Sequence, residues 1–170
     1  GGIIPGLKPM TAKTWSLGLD VQPPVVLGLS MGATYYHIDF KDQIGVVPVF
    51  NTTVFYSLFP DLYWMNPTQA QVDALAAQAT NPAALSTVPL ANLYNIADGR
   101  TRNLARIITS GIDFNLRYRT ATNFGAVFLS TNGNYILHFK NQPRAGATIA
   151  ELVDTTTRFR ISSSLGAEVG

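Results

Sequence analysis

The sequence carries little charge. Only 13% of its 170 residues are Asp, Glu, Lys or Arg, where a water-soluble domain has about 25%. It has no cysteine, which excludes a disulfide framework, a thiolate metal site and a cysteine nucleophile. Its two histidines, His37 and His138, stand in no HxxxH or HxxE spacing, and there is no GxSxG and no glycine-rich phosphate loop. No enzyme constellation is therefore visible, and each histidine reads as a polar residue on a lumen face or just above a membrane. The formal net charge of +2 is too small to predict a nucleic-acid partner, and no basic run supports one. Long apolar runs are missing too. The charge-free stretch from Gln43 to Pro60 is broken by Pro48, Asn51, Thr52, Thr53 and Ser57, short of the ~18 apolar residues that a spanning helix needs. If this chain crosses a membrane, it crosses as strands. The opening GGIIPGLKPM has none of the basic, apolar and small-residue zones of a secretory signal.

What is present is a 46% apolar share arranged with a period of two. Trp15, Leu17, Leu19 and Val21 alternate with Thr14, Ser16, Gly18 and Asp20. Leu27, Leu29, Met31, Ala33 and Tyr35 alternate with Gly28, Ser30, Gly32 and Thr34. Further along, Ile108, Ile112, Phe114, Leu116 and Tyr118 oppose Gly111, Asp113, Asn115, Arg117 and Arg119. Val127, Leu129, Tyr135, Leu137 and Phe139 oppose Ser130, Asn132, Asn134, His138 and Lys140. Last, Phe159, Ile161, Leu165, Ala167 and Val169 oppose Arg158, Arg160, Ser162, Ser164 and Glu168.

Alternation alone suits any half-buried antiparallel sheet. Three features favour a membrane barrel. The runs reach or exceed the 9–11 residues of a tilted spanning strand. Connections alternate in length: a short turn at Gln22–Pro24, a long segment from Lys41 to about Arg106, a short turn at Thr120–Phe124, then a longer loop from Asn141 to Thr155. Aromatics (Trp15, Tyr35, Tyr36, Tyr118 and Phe139) stand near run ends, as at a membrane interface. After Tyr35 the pattern changes phase, with Tyr36, Ile38 and Phe40 now apolar. Either a bulge or a strand leaving the bilayer accounts for this, and the second is the favoured reading. The expected fold is all-β: an antiparallel transmembrane β-barrel fragment of long up-and-down hairpins. A short helix in the long extracellular loop lies over the rim. It opens at Asn66–Gln71 with capping-box spacing between Thr68 and Gln71 and runs to about Gln78, with Val72, Leu75 and Ala76 as its apolar side. A soluble β-sandwich binding module and a porin-like barrel are the alternatives.

Candidate chemistry is sparse. Asp39, Asp42 and Asp61 match no calcium-loop spacing and read as rim charge. Arg117, Arg119, Arg158 and Arg160 fall on the polar faces, where pairing with Asp113 or Glu168 is the expected role. The long loop holds Phe50, Phe55, Tyr56, Phe59, Tyr63 and Trp64, which either anchor a ligand or pack the loop on itself. Tyr63, Trp64 and Arg100 are the candidate ligand contacts.

Several segments carry a family resemblance. Gly6-Leu7-Lys8-Pro9 with Thr14-Trp15-Ser16-Leu17-Gly18-Leu19-Asp20 resembles the "LKPE…TWxLGxD" stretch of TonB-dependent receptors, with Met10 where that family usually has Glu. Ala33–Ile44 resembles its "ATYFxIDFKDxI" stretch. Asp98-Gly99-Arg100, Asn103-Leu104-Ala105 and Thr109–Phe114 resemble its "DxR…NLA…TSGIDF" segment. The resemblance implies a bacterial outer-membrane location, lipid around the barrel and uptake of a scarce small-molecule or glycan ligand such as a siderophore, cobalamin or an oligosaccharide. It implies energy from the TonB–ExbB–ExbD complex acting through a plug, and no cofactor. Barrels of this class have about 22 strands, so residues 1–170 read as a partial barrel domain, without the plug, TonB box and signal peptide.

Overall fold

The computed structural model describes residues 2–47, 56–79 and 89–169. The chain divides into two compact units. One comprises residues 1–11, 41–106 and 142–148; the other comprises 12–40, 107–141 and 149–170.

The large sheet is built from five long strands: β1 (Thr11–Val21), β2 (Leu29–Lys41), β7 (Arg106–Thr122), β8 (Gly125–Gln142) and β10 (Phe159–Val169). Their order across the sheet is β1-β2-β7-β8-β10, so every long strand lies beside its neighbour in the chain, and β1 and β10 form the open edges. The short β9 (Ala150–Glu151) pairs with the far end of β8. Between β2 and β7 lie β3 (Ile44–Gly45), β4 (Tyr63–Met65), β5 (Asn95–Ala97) and β6 (Arg102–Asn103), which make two small hairpin-like pairs, β3 with β6 and β4 with β5. This is the expected all-β, up-and-down architecture, with all five predicted runs found as strands.

Strand limits differ from expectation where the backbone imposes them. β2 begins at Leu29 rather than Leu27. Pro23 and Pro24 lack the N–H needed to extend a ladder, and Gly28 turns the chain at φ +83°. The Gly28 carbonyl accepts from the Arg119 N–H at 2.9 Å, so close that a Cβ there would strike the Arg119 carbonyl. The β7–β8 turn is tighter than expected, with only Asn123 and Phe124 between the strands.

The phase change after Tyr35 is not a bulge against β7. β2 and β7 pair without interruption from Leu29↔Tyr118 to Phe40↔Ile107. The Trp15 ring lies 5.1 Å from Tyr35 and 5.9 Å from His37, so His37 stays on the Trp15 face. The strand runs on and the composition of its face changes, as expected of a strand passing out of an apolar layer.

Register places the five apolar sets together. Tyr35, Ala33, Met31 and Leu29 stand opposite Ile112, Phe114, Leu116 and Tyr118. Phe159, Leu165 and Ala167 stand opposite Tyr135, Leu129 and Val127. Phe114 stacks on Phe159 at 6.0 Å, linking the two halves of this face. The face is uncovered: Leu17 is 73% exposed and Leu165 77%. Among the described residues the buried apolar side chains are Val47, Phe59, Val72, Ile96 and Val153, none of them in the five long strands. A water-soluble sandwich would place its core against such a face; this sheet leaves it bare.

Three aromatic rings lie over glycines on adjacent strands: Phe114 over Gly133, Phe128 over Gly166 and Tyr36 over Gly111. The missing Cβ makes room for the ring, which in turn shields the glycine backbone. Gly133→Val is expected to push Phe114 off its stack with Phe159 and destabilise the sheet by about 1–3 kcal/mol, read as a lower urea midpoint in detergent micelles. An unchanged midpoint would mean that the ring has room elsewhere.

Candidate functional site

The polar face of the sheet holds a shallow trough of about 480 Å³. Two rows of side chains cross it. In the first, Thr34 stands opposite Asp113, the Asn134 amide donates to Asp113 Oδ1 at 2.7 Å, and Asn134 stands opposite Arg160. In the second, Gly32 stands opposite Asn115 and Asn132 opposite Ser162. Asp20 Oδ1 and the Asn115 amide fill the space above Gly32. Asn134 also donates to Tyr36 Oη at 3.2 Å. Sequence reasoning put these residues on one kind of face but did not see them as a site. The missing signal is register, because alternation fixes which way a residue points and not which residue stands beside it.

Of the four arginines expected on polar faces, Arg119 pairs with Glu168, as anticipated. Its Nη1 donates to Oε1 at 3.1 Å and its Nη2 to Oε2 at 2.5 Å. This reaches from β7 to β10 across β8, where Ala126 stands opposite Glu168 and offers only a methyl group. Arg158 turns instead to Asp154 at 3.1 Å and lies 5.9 Å from the Tyr135 ring centre. Asp113 takes Asn134 rather than an arginine. His138 Nδ1 meets Glu151 Oε2 at 3.0 Å.

The other unit contains the three candidate ligand contacts. Tyr63 and Trp64 are consecutive on β4, paired with Ala97 and Ile96, so they project to opposite sides. Both are half-buried. Tyr63 packs against the Val47–Phe59 cluster. Its hydroxyl meets Tyr56 Oη and lies 3.1 Å from Met65 Sδ. Desolvation, reinforced by the bond to Tyr56, pushes the Tyr63 hydroxyl up to about 12. Arg100 grips Asp98 through Nε at 2.8 Å and Nη2 at 2.7 Å, and Nη2 also donates to Gln78 Oε1 at 3.1 Å. Of the loop aromatics, Phe59 is buried and packs the loop on itself, Tyr56 meets Tyr63 edge-on at 4.0 Å, and Phe50 and Phe55 lie outside the described residues. Helix α1 (Gln69–Ala76) has the expected capping box between Thr68 and Gln71, with Val72 buried. Asp61 meets Arg144 at 3.4 Å. Among the described residues no group of His, Asp and Glu is placed to hold a metal.

Two hubs organise this unit. Asp98, 6% exposed, takes both Arg100 and Arg102. Burial pushes its carboxyl up, but the hydrogen bonds from the two guanidinium groups outweigh this and hold it well below the usual carboxylate range. Asn103 Oδ1 accepts from the Lys8 N–H at 2.8 Å, and its Nδ2 donates to the Lys8 and Asp42 carbonyls at 2.9 and 2.7 Å. The Gln43 N–H and carbonyl meet Ala105 O and Leu104 N beside it. The segments around Lys8, Asp42 and Asn103, far apart in sequence, are thus tied by one amide.

A sheet of long up-and-down antiparallel strands, bare and apolar on one face and polar on the other, is the wall of a membrane β-barrel, here open at β1 and β10. The family described as TonB dependent receptor-like, beta-barrel matches residues 1–168, and the chain belongs to it. It is a family of outer-membrane receptors and transporters, not of enzymes. No curated protein and no solved structure matches the chain.

Asp98→Asn removes the charge that both arginines share and is expected to destabilise this unit by roughly 3 kcal/mol. Hydrogen exchange should rise across β4–β6 while the five long strands stay protected. With its folded pKa depressed, Asp98 contributes stability that is complete above its ordinary value of about 3.9 and lost as pH falls through the lower folded value. Protection against exchange in this unit, corrected for the intrinsic rate at each pH, should therefore fall below about pH 4 in the wild type and much less in the variant. Asn103→Ala should free the residues around Lys8, read as proteolytic cleavage before β1.

Proposed function

We propose that this chain forms part of the wall of a receptor in the bacterial outer membrane that takes up a scarce ligand, with energy delivered by the TonB–ExbB–ExbD complex through a plug domain. The bare apolar face behind a polar, hydrogen-bonding face carries this reading, because such a wall meets lipid on one side and a wet lumen on the other. Family membership supports the coupling. The wall makes and breaks no covalent bond; it holds ligand and plug through polar side chains. Tyr63 and Trp64 supply aromatic surface for first contact with ligand. Arg100 serves them at one remove, since its guanidinium holds Asp98, whose N–H donates to the carbonyl of Leu62, the residue before Tyr63, at 2.8 Å.

Uptake in cells is the direct test. Deleting TonB or collapsing the proton-motive force should abolish accumulation of the ligand while leaving surface binding intact. Accumulation that survives both treatments would identify a passive porin-like barrel instead. A chain that stays folded, cooperative and monomeric in plain buffer, with no gain of β-structure in micelles, would return the soluble binding module.

A further inference from the structure

We infer that the trough on the polar face binds a neutral glycan chain; this rests on the receptor reading above and names its ligand class. The charge of the trough cancels. Asp113 and Arg160 contribute one of each sign, Asp20 over Gly32 is matched on the same face by Arg117 opposite Ser30, and the remaining polar lining comes from Thr34, Asn115, Asn132, Asn134 and Ser162. An anionic chelate or a phosphate would call for an excess of cations, and a cationic ligand for an excess of carboxylates. An amide offers both donors and an acceptor, and a hydroxyl is donor and acceptor at once. Sugar hydroxyls have that same double character.

The spacing is also suitable. Neighbouring side chains in a row stand on strands about 4.8 Å apart, and the two rows are two residues apart along each strand, about 6.8 Å. This grid is on the scale of a pyranose ring. The Asn134–Asp113 bond fixes both groups before a ligand arrives. Aromatic surface is present on the same face. Tyr36 lies over Gly111 and is bonded to Asn134 beside the first row, and Phe128 lies over Gly166 further along β8 and β10. Both rings are half-buried. A ring laid over a glycine presents its plane outward, and the C–H-rich face of a sugar stacks on such a plane.

The test uses the protein in outer-membrane vesicles, titrated calorimetrically with a panel of neutral linear oligosaccharides and, separately, with a ferric trihydroxamate chelate. At least one neutral oligosaccharide should bind, with an affinity insensitive to salt. Asn132→Ala should weaken it about tenfold, the effect of losing a well-made hydrogen bond. Heat-modifiable mobility on a gel reports separately that each variant is a folded barrel. If no heat-modifiable barrel forms even in the wild type, the receptor reading fails and this inference with it. If the barrel forms and only the ferric chelate binds, with Arg160→Gln and added salt abolishing it, the glycan assignment alone is overturned. It is equally overturned if Asn132→Ala leaves glycan affinity unchanged but exposes a protease-sensitive segment of the protein, since the trough then holds polypeptide.

Discussion

The constraint on which the rest of this structure depends is the pairing of backbone N–H and C=O groups across the strands. A sheet with hydrocarbon against one face has no water there to satisfy an orphaned amide, so each break in the ladder costs several kcal/mol. The ladders are correspondingly long: β2 and β7 pair through twelve residues and β8 and β10 through eleven, each without a bulge. Everything else on the sheet follows from that continuity. It sets the two faces, brings Asp113 beside Asn134, and obliges the strands to change direction where proline, glycine or a two-residue turn ends the pairing.

The strands were legible in the sequence because period two is a local signal and each run repeats it several times. The α1 cap was legible for the same reason, Thr68 and Gln71 being three residues apart. What the sequence did not disclose is what lies beside what. Arg158 was expected to meet Asp113 or Glu168, and a nearer carboxylate, Asp154, takes it. The loop aromatics read equally as ligand anchors or as self-packing, and Phe59 is core, because burial in an irregular segment depends on contacts with Val47 and Leu104 that no spacing rule predicts. The trough was invisible for the related reason that its two rows draw on strands separated by the whole long connection.

The segments that mark the family have a physical reading here. Lys8, Asp42, Asn103 and Ala105 belong to three of the quoted stretches, and they converge on hydrogen bonds to backbone atoms. Asp98 and Arg100 form an ion pair inside the same unit. These residues hold connecting segments in place, work that is the same whatever ligand passes. The trough side chains, by contrast, are exposed or half-buried, and Asn134 bonds to other side chains of the same face rather than to connecting backbone. Recognition by residues that bear no architecture is what a family with one barrel and many ligands requires.

The unbroken register has a consequence for how such a chain can drift over generations. A single inserted or deleted codon within β7 would turn every later residue of that strand inside out, putting Asp113 into oil and Phe114 into water. Length changes inside the strands are thus effectively limited to pairs of residues, whereas the connection between β2 and β7 is under no such parity rule outside its own short paired strands. A lineage can therefore lengthen its loops freely and exchange side chains on the wet face one at a time, while the ladder beneath keeps the same count.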